Sequence, residues 1–277
     1  MSRRWAVLVV LVAASALAGC RHEDSPPPPT ETAPPLQRLR IIFPEGFTRR
    51  EMADRVEAVR EIAISKRGVR PRLTGAGYLE ASAAAKPPAQ FRKDWAGRSI
   101  EGFLFPATYE FSQFTPSARL VRDQLSYFRE QWSKVDLRYA KSKNLTPYDV
   151  LIIASMVEKE AAAPVERRLV AAVIYNRLKA GMALGIDATI RYGRNVPGTE
   201  PLKQSDLESN GPYNTRRRLG LPPTPIANPG LASIRAAASP ARVDYLFFVR
   251  KPNSVRHFFT ASESEFFAKK CEYGFGC

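Results

Sequence analysis

Residues Ile152–Pro164 read I-I-A-S-M-V-E-K-E-A-A-A-P, an aliphatic run that carries two glutamates and stops at a proline. Its length and composition predict a helix buried in the core, opened by Thr146 as N-cap with Pro147 in the first helical position. On a helical wheel Leu151, Ala154, Ser155 and Ala162 share the side of Glu158. A carboxylate among such neighbours loses hydration, so its pKa is expected to rise and it can keep a proton for general-acid work. Glu160 falls about 200° further round, so the two glutamates cannot form one paired-carboxylate site. Spacing alone favours a plainer reading, with Glu158 paired to one of the many arginines.

Elements on either side fit an α+β fold. Leu39–Phe43 is a short strand stopped by Pro44-Glu45-Gly46, after which Thr48 and Glu51 form a capping-box signature for a helix carrying Met52, Val56 and Val59. A second helix is expected over 75–85. Glu101–Phe111 is extended and aromatic-rich, and Thr115-Pro116 matches a helix start carrying Leu120, Leu125, Phe128 and Trp132 inward. Pro164–Ala180 predicts another helix, with Val170, Val173, Ile174 and Leu178 inward. Asp244–Val249 reads as a buried strand that pairs with His257–Thr260. The expected domains are 1–19 signal, 20–38 tether, 39–100 a small accessory module, and 101–277 a larger α+β domain.

The first residues read as an address. Arg3 and Arg4 precede an apolar stretch too short to span a bilayer, and Leu17-Ala18-Gly19-Cys20 resembles a bacterial lipobox. Cys20 would then carry acyl chains, each buried methylene contributing about 0.8 kcal/mol to anchoring. Pro26–Pro29, Pro34 and Pro35 favour an extended tether. The expected location is the cell envelope, facing periplasm or exterior, with outer and inner membrane both open. Cys271 and Cys277 remain as an even pair, read equally as a disulfide or as two free thiols. A formal charge of +15 suits anionic lipids or carboxylate-bearing wall polymers. Export and the lack of a concentrated basic stripe argue against nucleic acid. The two histidines, His22 and His257, give no metal-site pattern.

Several ordered stretches resemble the YceG-like endolytic murein transglycosylases, the MltG family: EGFLFPATYEF (101–111), IASMVEKE (153–160), VIYNRLKAG (173–181), MALGIDATIRYG (182–193) and YNTRRRLGLPPTPIANPG (213–230). The resemblance implies a LysM-like module followed by a catalytic domain that cleaves peptidoglycan glycan strands internally without a cofactor. It places the catalytic glutamate on Glu158, acting as acid and then base on the MurNAc–GlcNAc β-1,4 bond to leave 1,6-anhydro-MurNAc ends. Cell-wall synthases are implied as partners. The alternative class is a non-catalytic peptidoglycan-binding lipoprotein.

Candidate substrate-binding residues are Glu101, Asn176, Asp187, Thr189, Tyr213, Asn214 and Thr215. Three of them have a structural alternative. Asn176 could instead tie down a loop, Asp187 could cap a helix, and Glu101 could brace the junction between domains. Arg216-Arg217-Arg218 reads as solvated surface or as a carboxylate-binding run.

Overall fold

Side-chain caps from Thr48, Thr74, Thr146 and Ser262 set four of the helix starts. The computed structural model describes residues 36–276. In chain order the elements are β1 (Arg38–Ile42), α1 (Arg49–Arg67), α2 (Gly75–Ala84), α3 (Arg92–Trp95), β2 (Thr108–Ser112), α4 (Ser117–Trp132), α5 (Arg138–Ser142) and α6 (Pro147–Glu160). Then come α7 (Arg167–Lys179), α8 (Asp187–Arg194), α9 (Gln204–Leu207), α10 (Leu231–Ala238), β3 (Phe247–Arg250), β4 (His257–Thr260) and α11 (Glu263–Glu272). Thr48 and Glu51 exchange the two hydrogen bonds of a capping box, as do Thr146 and Asp149 ahead of Pro147.

Thr115 departs from its expected role. Its hydroxyl accepts the Ser112 N–H at 2.9 Å and closes the turn after β2, so α4 starts at Ser117 without a side-chain cap. The helix expected over 164–180 is also divided: Pro164–Glu166 form a 3-10 turn before α7.

β1 and β2 pair antiparallel, Arg38 opposite Ser112 and Ile42 opposite Thr108. Leu39, Ile41, Tyr109 and Phe111 turn inward, the alternation expected of a half-buried sheet. The resulting unit, with α1, α2 and α3 between its two strands, closes with a strand that lies beyond residue 100. Residues from Leu36 onward make one compact unit.

The second sheet pairs Phe247 with Thr260 and Arg250 with His257. The strand expected to be buried is buried only at Phe247, because a two-stranded hairpin covered by α11 on one face leaves its other residues half open. Cys271 of α11 is disulfide-bonded; Cys20 and Cys277 lie outside the described residues, as do the signal and most of the tether.

Helix α6 runs through the middle, with every residue from Val150 to Val157 buried. A helix apolar all round belongs in a core. It packs against α7, α8 and α10. Phe103 stacks on Tyr148 in its first turn, and Phe91, Phe128 and Trp132 extend that aromatic cluster. The mixed helix and strand fold thus carries the two glutamates at the far, C-terminal end of its central helix.

Candidate active site

Glu158 and Glu160 leave α6 in different directions and meet different partners. The Glu158 side chain is 7% exposed. Its Oε2 accepts the Gly230 N–H at 2.9 Å, and its Oε1 lies 3.8 Å from Nη2 of Arg167. The same guanidinium nitrogen is 3.9 Å from Oε2 of Glu45. Burial, then the Glu158 charge, raise the Glu45 pKa, and Arg167 opposes them. A Cβ at Gly230 would collide with the Glu45 carboxyl, so that carboxyl lies directly against the backbone that donates to Glu158. Glu158 is therefore held by a backbone donor and an arginine, close to the plain reading that spacing favours.

Glu160 ends α6 and points towards the start of α8. Its pKa is raised from 4.5 to about 7, by burial first and the Asp187 charge second; a hydrogen bond from the Ala188 N–H works the other way. The negative end of the α6 dipole acts in the raising sense too. The residue stays partly open at the surface although its carboxyl is densely surrounded. Asp187, the first residue of α8, accepts from Nε of Arg216 at 2.7 Å, both side chains 45% exposed. A protonatable carboxyl thus sits beside an ion-paired carboxylate on an accessible face. Sequence reasoning missed Glu160 because the wheel rewarded apolar neighbours along the helix. Glu45 was missed because a turn glutamate carries no local mark of a partner 113 residues away.

The other candidates sort by what they bond. Thr189 and Thr215 are buried, their hydroxyls 3.0 Å apart, and Thr215 Oγ1 accepts the Ile186 N–H at 3.0 Å. Buried Asn214 donates to the carbonyls of Leu207 and Ser209 and accepts the Arg216 N–H. These three, expected to meet sugar, instead fix the loop that presents Asp187 and Arg216. Asp187 begins α8 but makes no side-chain cap. Tyr213 is partly exposed, with its hydroxyl 2.7 Å from Oγ1 of Thr224 and its ring packed on Tyr192.

Two candidates brace the fold elsewhere. Asn176 donates to the carbonyls of Val243 and Tyr245, the loop-tying alternative. Glu101 is 3% exposed and accepts from the Arg49 N–H, Asn228 Nδ2 and the Tyr192 hydroxyl, which is the bracing alternative. Burial raises its pKa to about 7. Concavities of about 830 Å3, beside α4, and about 490 Å3, beside α7, are lined by neither Glu158 nor Glu160. The Glu158 carboxyl is covered by the 44–46 turn and Gly230.

The profile of the YceG-like family matches residues 30–272. The chain belongs to the YceG-like family. Over 159 residues it is 37% identical to the endolytic murein transglycosylase of Bacillus subtilis, covering 56% of this chain and 42% of that protein. Over 229 residues it is 33% identical to the endolytic murein transglycosylase of Streptococcus pneumoniae strain R6, covering 76% and 40%. The YceG-like chain thus spans about two fifths of the length of these curated relatives. A yceG-like protein of Listeria monocytogenes has a crystal structure that superposes with a TM-score of 0.67 at 28% identity, over 83% of this chain and 76% of that one. Both glutamates of Glu158-Lys159-Glu160 fall inside the family match, so the choice between them rests on geometry.

Proposed function

We propose that this chain is an endolytic lytic transglycosylase of peptidoglycan, with Glu160 rather than Glu158 as its acid–base group. The carrying observation is the Glu160 carboxyl, held near pKa 7 beside the Arg216-paired carboxylate of Asp187 on an accessible face. The names of the relatives support the reaction class. Glu160 donates its proton to the leaving GlcNAc O4 as the C1–O4 bond breaks. The carboxylate of Asp187 faces the positive charge developing at MurNAc C1. Glu160, now ionised, takes the proton of the C6 hydroxyl, and the new O6–C1 bond closes the 1,6-anhydro ring. No water is consumed, and the acid returns to its starting form. Because the substrate brings its own nucleophile, one titrating carboxyl serves both steps, and a pKa near the working pH suits each.

On this reading Glu158 holds the Gly230 turn in place. Mass spectrometry of digested peptidoglycan tests the assignment. The native chain is expected to release anhydro-MurNAc ends, Glu160→Gln to release none and Glu158→Gln to retain cutting. If the two variants exchange behaviours, the acid–base role returns to Glu158. If the native chain releases no ends while binding the polymer, it is a glycan-binding protein instead.

The unit opened by β1 and closed by β2 is the best candidate for the LysM-like module, holding glycan rather than cutting it. Among the described residues no helix is long and apolar enough to cross a membrane. A lipid anchor on Cys20 followed by the proline tether is our reading of how the chain stays in the envelope, where cell-wall synthases could meet it. Labelling with a radioactive fatty acid, expected in the native chain and absent from Cys20→Ala, tests the anchor.

A further inference from the structure

Beyond the first turn of α6, at the opposite end from Glu160, a groove opens that the proposed chemistry does not use. It has a volume of about 830 Å3 and runs between residues 86–92 and the outer face of α4. Lys86, Arg92, Arg119, Arg122 and Arg129 line it, against the one carboxylate of Asp123. That carboxylate is already engaged, accepting Nε of Arg119 at 2.9 Å and 3.0 Å. Arg92 donates to the Pro87 carbonyl. Lys86, Arg122 and Arg129 are exposed and, among the described residues, have no side-chain hydrogen bond or ion pair.

Arg122 and Arg129 are seven residues apart, two helical turns, so they stand in a row about 10 Å apart on one face. Beneath them Phe128 and Trp132 pack edge-on against Phe91, with ring centres 5.7 Å and 4.8 Å away, which fixes the floor. Unpaired cations along a concave, rigid floor suit a linear chain bearing carboxylates at intervals better than a flat lipid surface.

We propose that this groove holds the stem-peptide carboxylates of a glycan strand while another part of the same strand is cut. The proposal rests on the peptidoglycan reading above. Phe103 links the two places, its ring 5.0 Å from Phe91 on one side and stacked on Tyr148 on the other. From Tyr148 to Glu160 is about 18 Å along the helix. A strand filling both places must be long. A grip at the groove would then raise the local concentration of scissile bonds at the cutting end without entering the chemistry.

The intact protein is tested on long glycan strands with their stem peptides, on the same strands stripped of stems by an amidase, and on short fragments. Arg122→Glu combined with Arg129→Glu is expected to raise KM on long stem-bearing strands roughly tenfold at low salt. Its kcat on short fragments and its melting temperature stay unchanged. Native protein is expected to bind stripped strands more weakly than stem-bearing ones, with the difference shrinking as salt rises.

The proposal is overturned if the double variant binds stem-bearing strands as tightly as native protein, or if stripping changes nothing. It is also overturned if the variant loses binding to inorganic polyphosphate or anionic phospholipid vesicles while keeping the strands. Should the native chain release no anhydro ends, the transglycosylase reading falls, and the comparison of stem-bearing with stripped strands still judges the groove. Should it cut normally with an indifferent variant, the groove alone falls.

Discussion

Replacing Glu160 by glutamine should make the protein more stable above neutrality while stopping catalysis. In the folded chain the carboxyl is raised from 4.5 to about 7 by burial and by Asp187. Below pH 4.5 it is protonated whether the chain is folded or not, and it costs nothing. Between 4.5 and 7 the folded state binds the extra proton, so stability falls as pH rises, levelling off above 7. The full effect is about 3 kcal/mol, at about 1.4 kcal/mol for each tenfold change in proton affinity. Glutamine keeps an oxygen for the Ala188 N–H and removes the titration. The glutamine variant should therefore gain on native protein by up to about 3 kcal/mol between pH 4.5 and 8, roughly 6–12 °C in Tm. Urea unfolding of both proteins across that range reads the difference directly. Glu101, also raised to about 7 by burial, is present in both and cancels. A stability difference that does not change with pH, or one that grows in favour of native protein, would refute the environment assigned to Glu160.

Asp187→Asn removes the charge that is the second cause of the Glu160 shift. Its pH–activity profile should lose activity at a lower pH than native protein, with cutting at pH 7 down roughly tenfold. Asn228→Ala empties the junction where that side chain accepts from the Gly102 and Leu104 N–H groups and donates to Glu101 and the Phe47 carbonyl. Calorimetry or urea unfolding should show a loss of roughly 2–4 kcal/mol. Thr146→Ala removes the cap of α6 and should cost about 1 kcal/mol in the same assay, with activity intact once the protein is folded.

What the sequence disclosed followed the range of the forces involved. The start of α1 was readable because Thr48 and Glu51 lie three residues apart, and that of α6 because Thr146 is followed at once by Pro147. The hairpin of β3 and β4 was readable because aromatic runs flank one polar turn. Thr115 misled because its hydroxyl can serve either a cap or a turn, and the Ser112 N–H took it. Thr189, Asn214 and Thr215, expected to face sugar, show a related ambiguity, being buried and bonded within their own loop. Their residue types suit carbohydrate and buried loop bracing equally, and only burial distinguishes the two.

The two glutamates of α6 sharpen the point. A helical wheel separates core from surface when one side of a helix faces water, but α6 is enclosed all round, so sitting on an apolar side carries no information there. What decides chemistry at the end of such a helix is the first group met on leaving it. For Glu158 these are the N–H of Gly230, 72 residues later, and a guanidinium; for Glu160 they are the opening turn of α8 and its carboxylate. Around Glu160, burial first and the Asp187 charge second favour the carboxylic acid. Two identical side chains two residues apart are thereby given different tasks, and exchanging Asp187 for a neutral residue should remove only the smaller part of the Glu160 shift, burial keeping the larger.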